Sequence, residues 1–284
     1  MKGVDSLTWH LVSDTACDLY TLSGGEGKMD FVTIPFSIRI GGKEYIDNEN
    51  MDIPEMLEMN ETHAEVAQTS CPSPEDWREK FSAPGPVIAF TISSALSGSY
   101  NSACTAKAML QDEDPGKQIA VIDSKATGPE EAMLIWRARD LILEGRDFDE
   151  IEKELNKTAQ RLHTSFALAS YRNLIKNGRV SRLIGFIAGH LGFWGIGIGD
   201  DKGEIVIRGK ARGSKSMIRF LTEEIEKIGV AGKQIVISHC QNEKDALGLK
   251  ASLEAAHPGT EVLVQPTRGL DSFYAERNGL IIGY

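Results

Sequence analysis

Short apolar runs alternate with helical patterns over the first 145 residues, and this alternation limits the fold more than any other feature. The runs at residues 87–92 (VIAFTI) and 119–122 (IAVI) are apolar almost throughout, which is typical of strands buried on both faces of a parallel sheet. A shorter run covers residues 9–12. Strands that alternate with helices indicate βαβ units, so we predict a mainly parallel sheet with helices on both faces.

Helix and turn patterns between these runs support this prediction. A serine, a proline and two acidic residues at positions 73–76 favour a helix start. Helices are also predicted over residues 97–110 and 129–144. Residues 31–40 (FVTIPFSIRI) are predicted as one longer strand, and the glycine pair at 41–42 indicates a tight turn after it.

Glycine becomes frequent after residue 163, and the predicted elements change with it. A hairpin is predicted over residues 196–208, where an Asp-Asp-Lys-Gly turn joins two strand-like runs. Further predicted elements are strands at 235–238, 261–264 and 280–283 and helices at 149–163 and 243–256. The sequence therefore predicts an α/β protein with two domains. Residues 1–163 form a mainly parallel α/β/α domain, and residues 164–284 form an α+β domain with a mixed sheet.

The charge balance and the cysteines indicate which kinds of partner and which cellular location to expect. Lys and Arg total 31 against 41 Asp and Glu, a net charge of −10 that disfavours nucleic-acid binding. Four widely separated cysteines indicate free thiols, and the N-terminus lacks the apolar stretch of a secretory signal, so we expect a cytoplasmic protein. The uncharged stretch at residues 183–199 holds six glycines, so we expect no stable membrane insertion. We interpret it as core packing or as a lid.

Four hydroxyl-rich segments indicate where a ligand binds. They lie beside predicted strands and helices at residues 13–18, 69–73, 93–99 and 123–128. In an open parallel sheet such segments converge on the carboxyl ends of the strands, where ligands bind. Hydroxyls and the free amides at helix N-termini suit an anionic oxygen. Helix capping is the favoured explanation of any single segment, but four of them in one half of the chain favour an anion site.

Motifs of other sites are absent or out of context. Gly195, Gly197 and Gly199 alternate with isoleucine and lead into an acidic turn, which indicates a hairpin rather than a dinucleotide site. The sequence has no phosphate-binding loop motif and no Gly-x-Ser-x-Gly elbow. Its cysteines do not have the spacing of a zinc site, so no metal site is predicted. A Ser-His-Asp hydrolase stays open, because such triads are assembled in space rather than along the sequence.

Several segments together resemble the DegV family of fatty-acid-binding proteins. The most distinctive are TSCPSPEDW at 69–77, TISSALSGSYNSA at 91–103, VIDSKATGPE at 121–130 and NLIKNGRVSRL at 173–183. SDTACDL at 13–19 and VTIPFSIRIGGKEYID at 32–47 resemble the family's N-terminal motifs. The resemblance therefore runs in order from the N-terminus to about residue 183.

The resemblance implies a carrier rather than an enzyme. Such a protein holds a long-chain fatty acid such as palmitate, stearate or oleate in an apolar tunnel. It presents the acid to a fatty acid kinase, and the acyl phosphate then enters phospholipid synthesis. The resemblance implies no catalytic residue and no cofactor besides the bound acid, and we expect a monomer. Two alternatives stay open: a hydrolase or phosphoryl-transfer enzyme that uses the same crevice, and an interaction module whose ligand only stabilises the fold.

The motif matches also imply site residues. These ligand-binding residues are Thr69, Ser70, Ser93, Ser94, Ser97, Gly98 and Arg179. In this interpretation Thr69 and Ser94 bind the carboxylate, with Ser94 favoured over Ser93, and Arg179 lies near the head group. Many family members also carry a histidine in a C-terminal His-x-Gly-Pro-Gly motif, where residues 275–279 here read AERNG. One contact to the head group is therefore expected to differ in this chain.

Overall fold

The protein contains two large β-sheets and one small sheet. The structure, a computed structural model, describes residues 8–63, 65–180, 192–230 and 234–284. The strands are β1 (Trp9–Asp14), β2 (Met29–Ile34), β3 (Ser37–Ile40), β4 (Lys43–Ile46), β5 (Gln68–Ser70), β6 (Val87–Thr91), β7 (Ile119–Asp123), β8 (Thr164–Leu168), β9 (Phe193–Gly199), β10 (Ile205–Arg212), β11 (Gln234–His239), β12 (Glu261–Pro266) and β13 (Leu280–Gly283). The α-helices are α1 (Ile53–Thr62), α2 (Pro74–Phe81), α3 (Ser99–Glu113), α4 (Pro129–Leu143), α5 (Phe148–Ala159), α6 (Arg172–Lys176), α7 (Ser214–Ile228), α8 (Glu243–Ala256) and α9 (Gly269–Ala275). A short 3₁₀ helix covers Thr15–Cys17.

The first large sheet is parallel, as predicted. Its four strands lie in the order β2-β1-β6-β7, and each pair is parallel. Every residue of β6 is buried, because both faces of the sheet are covered. Ile88 and Phe90 pack in the core that also includes residues of α4 and α5, whereas Val87 and Ala89 pack in the core that includes residues of α2 and α3. The α/β/α prediction for this part of the chain is confirmed.

The prediction of one strand over residues 31–40 is wrong. The chain leaves the parallel sheet after Ile34 and enters β3 of the three-stranded antiparallel sheet β4-β3-β5 at Ser37. Pro35 lies at this break, because proline has no N–H for a ladder hydrogen bond. The predicted glycine turn is confirmed: Gly41 and Gly42 have φ of 55° and 82° and join β3 to β4.

The second large sheet is mixed, also as predicted. Its six strands lie in the order β10-β9-β8-β13-β11-β12, and only β11 and β12 are parallel within it. The predicted hairpin over residues 196–208 is confirmed as β9 and β10. All strands of this sheet begin at or after Thr164. The division into domains 1–163 and 164–284 stays a proposal, because residues of β3 and α1 share a core with Phe166 and Phe273 from the later part of the chain.

The glycine-rich stretch at residues 183–199 is described only in part. Residues 183–191, which we interpret as core packing or a lid, lie outside the described residues. Residues 193–199 form β9. In the part of the chain that the structure describes, no helix is long and apolar enough to cross a membrane.

A buried ion pair joins distant segments of the chain. Asp47, just after β4, and Arg268, just before α9, are both at least 98% buried, and Arg268 Nε lies 3.6 Å from Asp47 Oδ1. The Asp47 carboxylate also accepts hydrogen bonds from the backbone N–H groups of Gly269 (3.0 Å) and Leu270 (2.9 Å) at the start of α9. Arg268 in turn donates to the backbone carbonyls of Asp47 and Leu19. The pair therefore determines where α9 lies.

We expect Asp47→Ala to lower the free energy of unfolding by about 3–5 kcal/mol, because it leaves the buried Arg268 charge without its partner. Urea denaturation of the purified protein measures this loss. Glu113→Ala is the matched control, because Glu113 forms an exposed ion pair with Arg78 at 2.8 Å. Such a pair contributes at most about 1 kcal/mol. Equal losses in the two variants would contradict a special role of the buried pair.

A buried glutamate makes stability depend on pH. Burial in α4 raises the pKa of Glu130 from 4.5 to about 8, and the Thr164 hydroxyl, which donates to its carboxyl, opposes part of that rise. A carboxyl whose pKa rises on folding favours the folded state below its unfolded pKa, and this contribution is lost as the pH rises through the folded pKa. The relevant window for Glu130 therefore runs from 4.5 to about 8.

We expect the wild-type protein to lose about 2 kcal/mol more unfolding free energy than Glu130→Gln between about pH 6 and pH 8, because one unit of pKa shift corresponds to about 1.4 kcal/mol. Glutamine keeps an acceptor for the Thr164 hydroxyl but carries no proton to lose. Urea denaturation at the two pH values tests this, with the exposed Glu150→Gln as control. The same pH dependence in wild type and Glu130→Gln would show that another group is responsible.

Candidate functional site

An apolar cavity lies between the two large sheets. It encloses about 820 Å³ of space, counting its open mouth. Its apolar lining consists of Phe36, Ile92, Leu96, Ala126, Phe166, Leu168, Leu174, Ile205, Leu270, Ala275 and Ile281. Its other lining residues are Thr69, Ser97, Lys125, Thr127, Thr164, Arg179, Gly199, Gly203, Glu204, Asp271 and Tyr274. The site therefore suits a ligand that is mostly hydrocarbon.

Loops at the carboxyl edge of the parallel sheet form one side of the cavity. Phe36 follows β2, three lining residues (Ile92, Leu96 and Ser97) follow β6, and residues 125–127 follow β7. This is the edge at which the hydroxyl-rich segments were expected to converge, because parallel strands end on the same side. The segments at 69–73, 93–99 and 123–128 each contribute at least one lining residue, whereas the predicted segment at 13–18 contributes none of the described lining residues.

The six-stranded sheet forms the opposite side. Thr164, Phe166 and Leu168 alternate along β8 and therefore point to one face of the sheet. Ile281 of β13 pairs with Phe166 and extends the same face, and Ile205 of β10 lies farther along the sheet. The side chains of this face therefore form a mostly apolar wall of the cavity.

Hydroxyls and a guanidinium gather at one end of the cavity, here called the Arg179 end, which consists of Thr69, Ser97, Arg179 and Tyr274. Thr69 Oγ1 and Tyr274 Oη lie 2.8 Å apart in a hydrogen bond. Arg179 Nε donates to the Leu96 carbonyl at 3.1 Å, next to Ser97. Burial raises the pKa of Tyr274, although the Thr69 hydrogen bond and the Arg179 charge oppose this rise. Tyr274 thus keeps its proton and offers a hydrogen bond at this end.

The structure separates the predicted site residues into two groups. Thr69, Ser97 and Arg179 line the cavity. Ser70, Ser93, Ser94 and Gly98 are not among its described lining residues, and of these only Ser93 is buried.

The two adjacent serines have other hydrogen-bond partners. Ser93 Oγ donates to the carbonyl of Gly203 at 2.9 Å, which attaches the loop after β6 to the β9–β10 hairpin. Ser94 Oγ donates to Asp123 Oδ2 at 2.6 Å, and its backbone N–H donates to the other oxygen of that carboxylate at 3.0 Å. The roles of both serines in ligand binding therefore stay predictions.

Tyr274 is a hydroxyl-bearing lining residue of the Arg179 end that the sequence did not predict. It lies in α9, next to Ala275, the residue at which the family's histidine motif was expected to begin. The segment 270–275 supplies Leu270, Asp271, Tyr274 and Ala275 to the cavity wall. The sequence pattern around Ala275 did not identify this tyrosine as a polar lining residue.

A buried carboxyl, that of Asp271, forms part of the cavity wall, with further buried carboxyls near it. Asp271 accepts a hydrogen bond from Thr127 Oγ1 at 2.6 Å. Burial, together with the neighbouring carboxylates of Asp18, Asp47 and Asp14, raises the pKa of Asp271 well above its ordinary range. This favours its neutral form, so Asp271 adds little negative charge to the wall. Among the residues described, no group of three or more His, Cys, Asp or Glu side chains is placed to hold a metal ion.

Known proteins resemble this chain over nearly its whole length. A family model described as "Uncharacterised protein, DegV family" matches residues 8–276. A DegV domain-containing protein of Streptococcus pneumoniae (strain ATCC BAA-255 / R6) is 35% identical over 278 residues, which cover 98% of this chain and 99% of that protein. One from Streptococcus pyogenes serotype M1 is 36% identical over 278 residues, again 98% of this chain and 99% of the relative.

Solved structures agree with this match. The Fatty Acid Kinase (Fak) B3 protein of Streptococcus pneumoniae, loaded with linoleic acid, has a TM-score of 0.94 and 35% identity, covering 98% of this chain and 99% of that chain. A DegV family protein from Eubacterium eligens, loaded with heptadecanoic acid, has a TM-score of 0.92 and 34% identity, covering 97% of this chain and 99% of that chain. The chain, with its parallel sheet, mixed sheet and apolar cavity, therefore belongs to the DegV family.

Proposed function

We propose that the protein binds one long-chain fatty acid in the apolar cavity and presents its carboxylate to a fatty acid kinase. The observation that carries this proposal is the composition of the cavity wall. Apolar side chains from both sheets form its length, and the hydroxyls and guanidinium of the Arg179 end supply hydrogen bonds for one anionic group. A hydrocarbon chain with a single carboxylate has the same distribution of polarity.

The Arg179 end suits a carboxylate that stays reactive. A guanidinium can donate two parallel hydrogen bonds to a carboxylate, and the hydroxyls of Thr69 and Tyr274 add neutral donors. None of these groups removes the negative charge from the carboxylate oxygens, so an oxygen can still attack a phosphoryl group. The role of Arg179 as the main counter-ion, with Thr69 as hydrogen-bond donor, is part of this proposal.

The acyl chain supplies most of the affinity. Each buried CH₂ contributes about 0.8 kcal/mol, so a chain of about 16 carbons gains over 10 kcal/mol before the cost of ordering it. The carboxylate contacts mainly orient the ligand. Chain length and unsaturation are therefore expected to alter affinity more than small changes at the Arg179 end.

The relatives support the same ligand class and suggest the partner. Two of them were crystallised with the long-chain acids linoleic and heptadecanoic acid, and one carries the name of a fatty acid kinase component. We extend this to a carrier role in this chain, without catalytic residues or a cofactor of its own. The four free cysteines are consistent with the proposed cytoplasmic location, where a kinase would meet the carrier.

Mass spectrometry of the purified protein tests the ligand class. We expect one fatty acid of about 14–18 carbons per chain in the native spectrum and after organic extraction, because the cavity wall is mostly apolar. Added ATP and a bacterial fatty acid kinase should then convert the bound acid to an acyl phosphate. Protein that is empty and fails to bind added palmitate or oleate would contradict the proposal, and turnover of an ester or acyl phosphate by the protein alone would favour the enzyme alternative.

Substitutions at the Arg179 end test the orientation of the ligand. We expect Thr69→Ala to weaken palmitate binding by about 1–3 kcal/mol, the cost of removing a hydrogen bond to a charged group. Titration calorimetry measures this change. Thr105→Ala is the matched control, because the Thr105 hydroxyl donates to the Asn101 carbonyl within its own helix, on the exposed side of α3. Wild-type affinity in Thr69→Ala would contradict the proposed orientation.

Ser94→Ala tests the remaining prediction from the motif match. The hydroxyl of Ser94 donates to Asp123, so binding the ligand would require it to turn away from that carboxylate. A loss of affinity similar to that of Thr69→Ala is expected if Ser94 does so on binding. Unchanged affinity would remove Ser94 from the proposed site.

A further inference from the structure

A second cavity lies directly beside the apolar one. It encloses about 690 Å³, counting its open mouth. Its lining residues are Lys125, Glu130, Ala159, Gln160, Leu162, His163, Thr164, Gly199, Asp200 and Asp201. Most of these side chains are polar, in contrast to the apolar cavity. Lys125, Thr164 and Gly199 line both cavities, and these three residues are called the shared wall.

The shared wall lies at the far end of the apolar cavity from Arg179. Thr164, Phe166 and Leu168 form a row along β8, and a strand advances about 3.3 Å per residue, so Thr164 and Leu168 are about 13 Å apart. Leu168 shares a core with Leu174, whose carbonyl accepts a hydrogen bond from the backbone N–H of Arg179 at 2.9 Å. A chain whose carboxylate binds at the Arg179 end therefore points its other end toward the shared wall.

Two glycines near this wall are required by the fold. A Cβ on Gly197 would lie 2.4 Å from Cζ of the Phe166 ring. A Cβ on Gly203 would lie 2.2 Å from Ser93 Oγ, and Gly203 has a φ of +79°. Neither position can take a side chain without displacing its neighbours.

Gly199 differs from both. Its φ is not positive, and a Cβ there would lie 3.5 Å from Thr164 Cβ and 3.6 Å from Thr164 Oγ1, which are ordinary van der Waals distances. Neither the backbone nor close packing therefore requires glycine at this position. Thr164 is the one residue whose described atoms come within 4 Å of such a Cβ, so the sheet face above Gly199 is otherwise unfilled at the boundary of the two cavities.

The polar cavity offers hydrogen bonds to a neutral group. The Thr164 hydroxyl donates to the buried Glu130 carboxyl, and Lys125 Nζ donates to the Asp201 carbonyl at 3.0 Å. Lys125 supplies the one ammonium among the described lining residues, whose other titratable side chains are His163, Asp200 and Asp201, besides the Glu130 carboxyl. A second carboxylate would meet this excess of acidic groups, whereas a hydroxyl can donate to them or accept from Lys125.

We propose that the missing side chain at Gly199 connects the two cavities, and that the polar cavity receives the ω-end of acyl chains that carry a hydroxyl there. Long-chain ω-hydroxy acids are thus ligands besides unsubstituted acids. This inference rests on the proposed function, because it takes the carboxylate to bind at the Arg179 end. If the apolar cavity were closed at the shared wall, the ω-hydroxyl would be buried there without a hydrogen-bond partner.

The test compares pairs of acids of equal length. Titration of wild-type protein, freed of lipid, with unsubstituted acids of 12–20 carbons first identifies the length that binds most tightly; the ω-hydroxy acid and the α,ω-dicarboxylic acid of that length are then measured. We expect the ω-hydroxy acid to bind within tenfold of the unsubstituted acid and the dicarboxylic acid to bind more weakly than either. A loss of tenfold or more on adding the hydroxyl, the penalty for burying it unpaired, overturns the inference.

Gly199→Val tests the connection itself. Valine suits a strand and fills the space beside Thr164, so we expect affinity for the ω-hydroxy acid to fall at least tenfold more than affinity for an acid four carbons shorter. Ile198→Val, on the other face of β9, is the control and should alter neither. An equal loss for both acids in Gly199→Val overturns the inference. If Gly199→Val does not fold, the comparison of the acids on wild-type protein still tests the inference. If no acid binds wild-type protein, the proposed function is refuted instead.

Discussion

The buried ion pair between Asp47 and Arg268 is the interaction on which the cavity depends. Its partners lie 221 residues apart and connect the end of the three-stranded sheet to the start of α9. An unpaired charge at either position would be costly in the protein interior, so both segments stay where the pair is formed. Because α9 carries Leu270 and Tyr274, the pair positions part of the apolar wall and one hydroxyl of the Arg179 end.

The cavity is a gap in the packing between two well-packed parts of the chain. Each large sheet has its own core on the sides that its helices cover. The loops at the carboxyl edge of the parallel sheet, around Phe36, and the apolar face of the mixed sheet, around Phe166, meet without filling the space between them. An unfilled apolar cavity lowers stability, so an acyl chain in the proposed site would complete the core. Ligand binding and folding stability are then coupled through the same apolar contacts.

Sequence patterns were most reliable where the structure is local or fully buried. The apolar runs correctly predicted the parallel strands β6 and β7, because strands covered on both faces leave no polar alternation. The serine and acidic residues at 73–76 form a capping box in the structure, with Ser73 and Asp76 accepting from each other's backbone N–H. The prediction of one strand over 31–40 was wrong. Pro35 does not interrupt the apolar pattern, but it interrupts the strand because proline has no N–H to donate to a sheet.

The sequence by itself determined the family, the α/β class and the hydroxyl-rich segments around the cavity, because these depend on local patterns and distinctive motifs. Only the tertiary structure decided which side chains meet. Thr69 and Tyr274 are 205 residues apart in the chain yet share a hydrogen bond, whereas the Ser94 hydroxyl, favoured by its motif, donates to Asp123. The reason is physical: a motif places a residue on a loop, but the packing of distant segments determines where its side chain points.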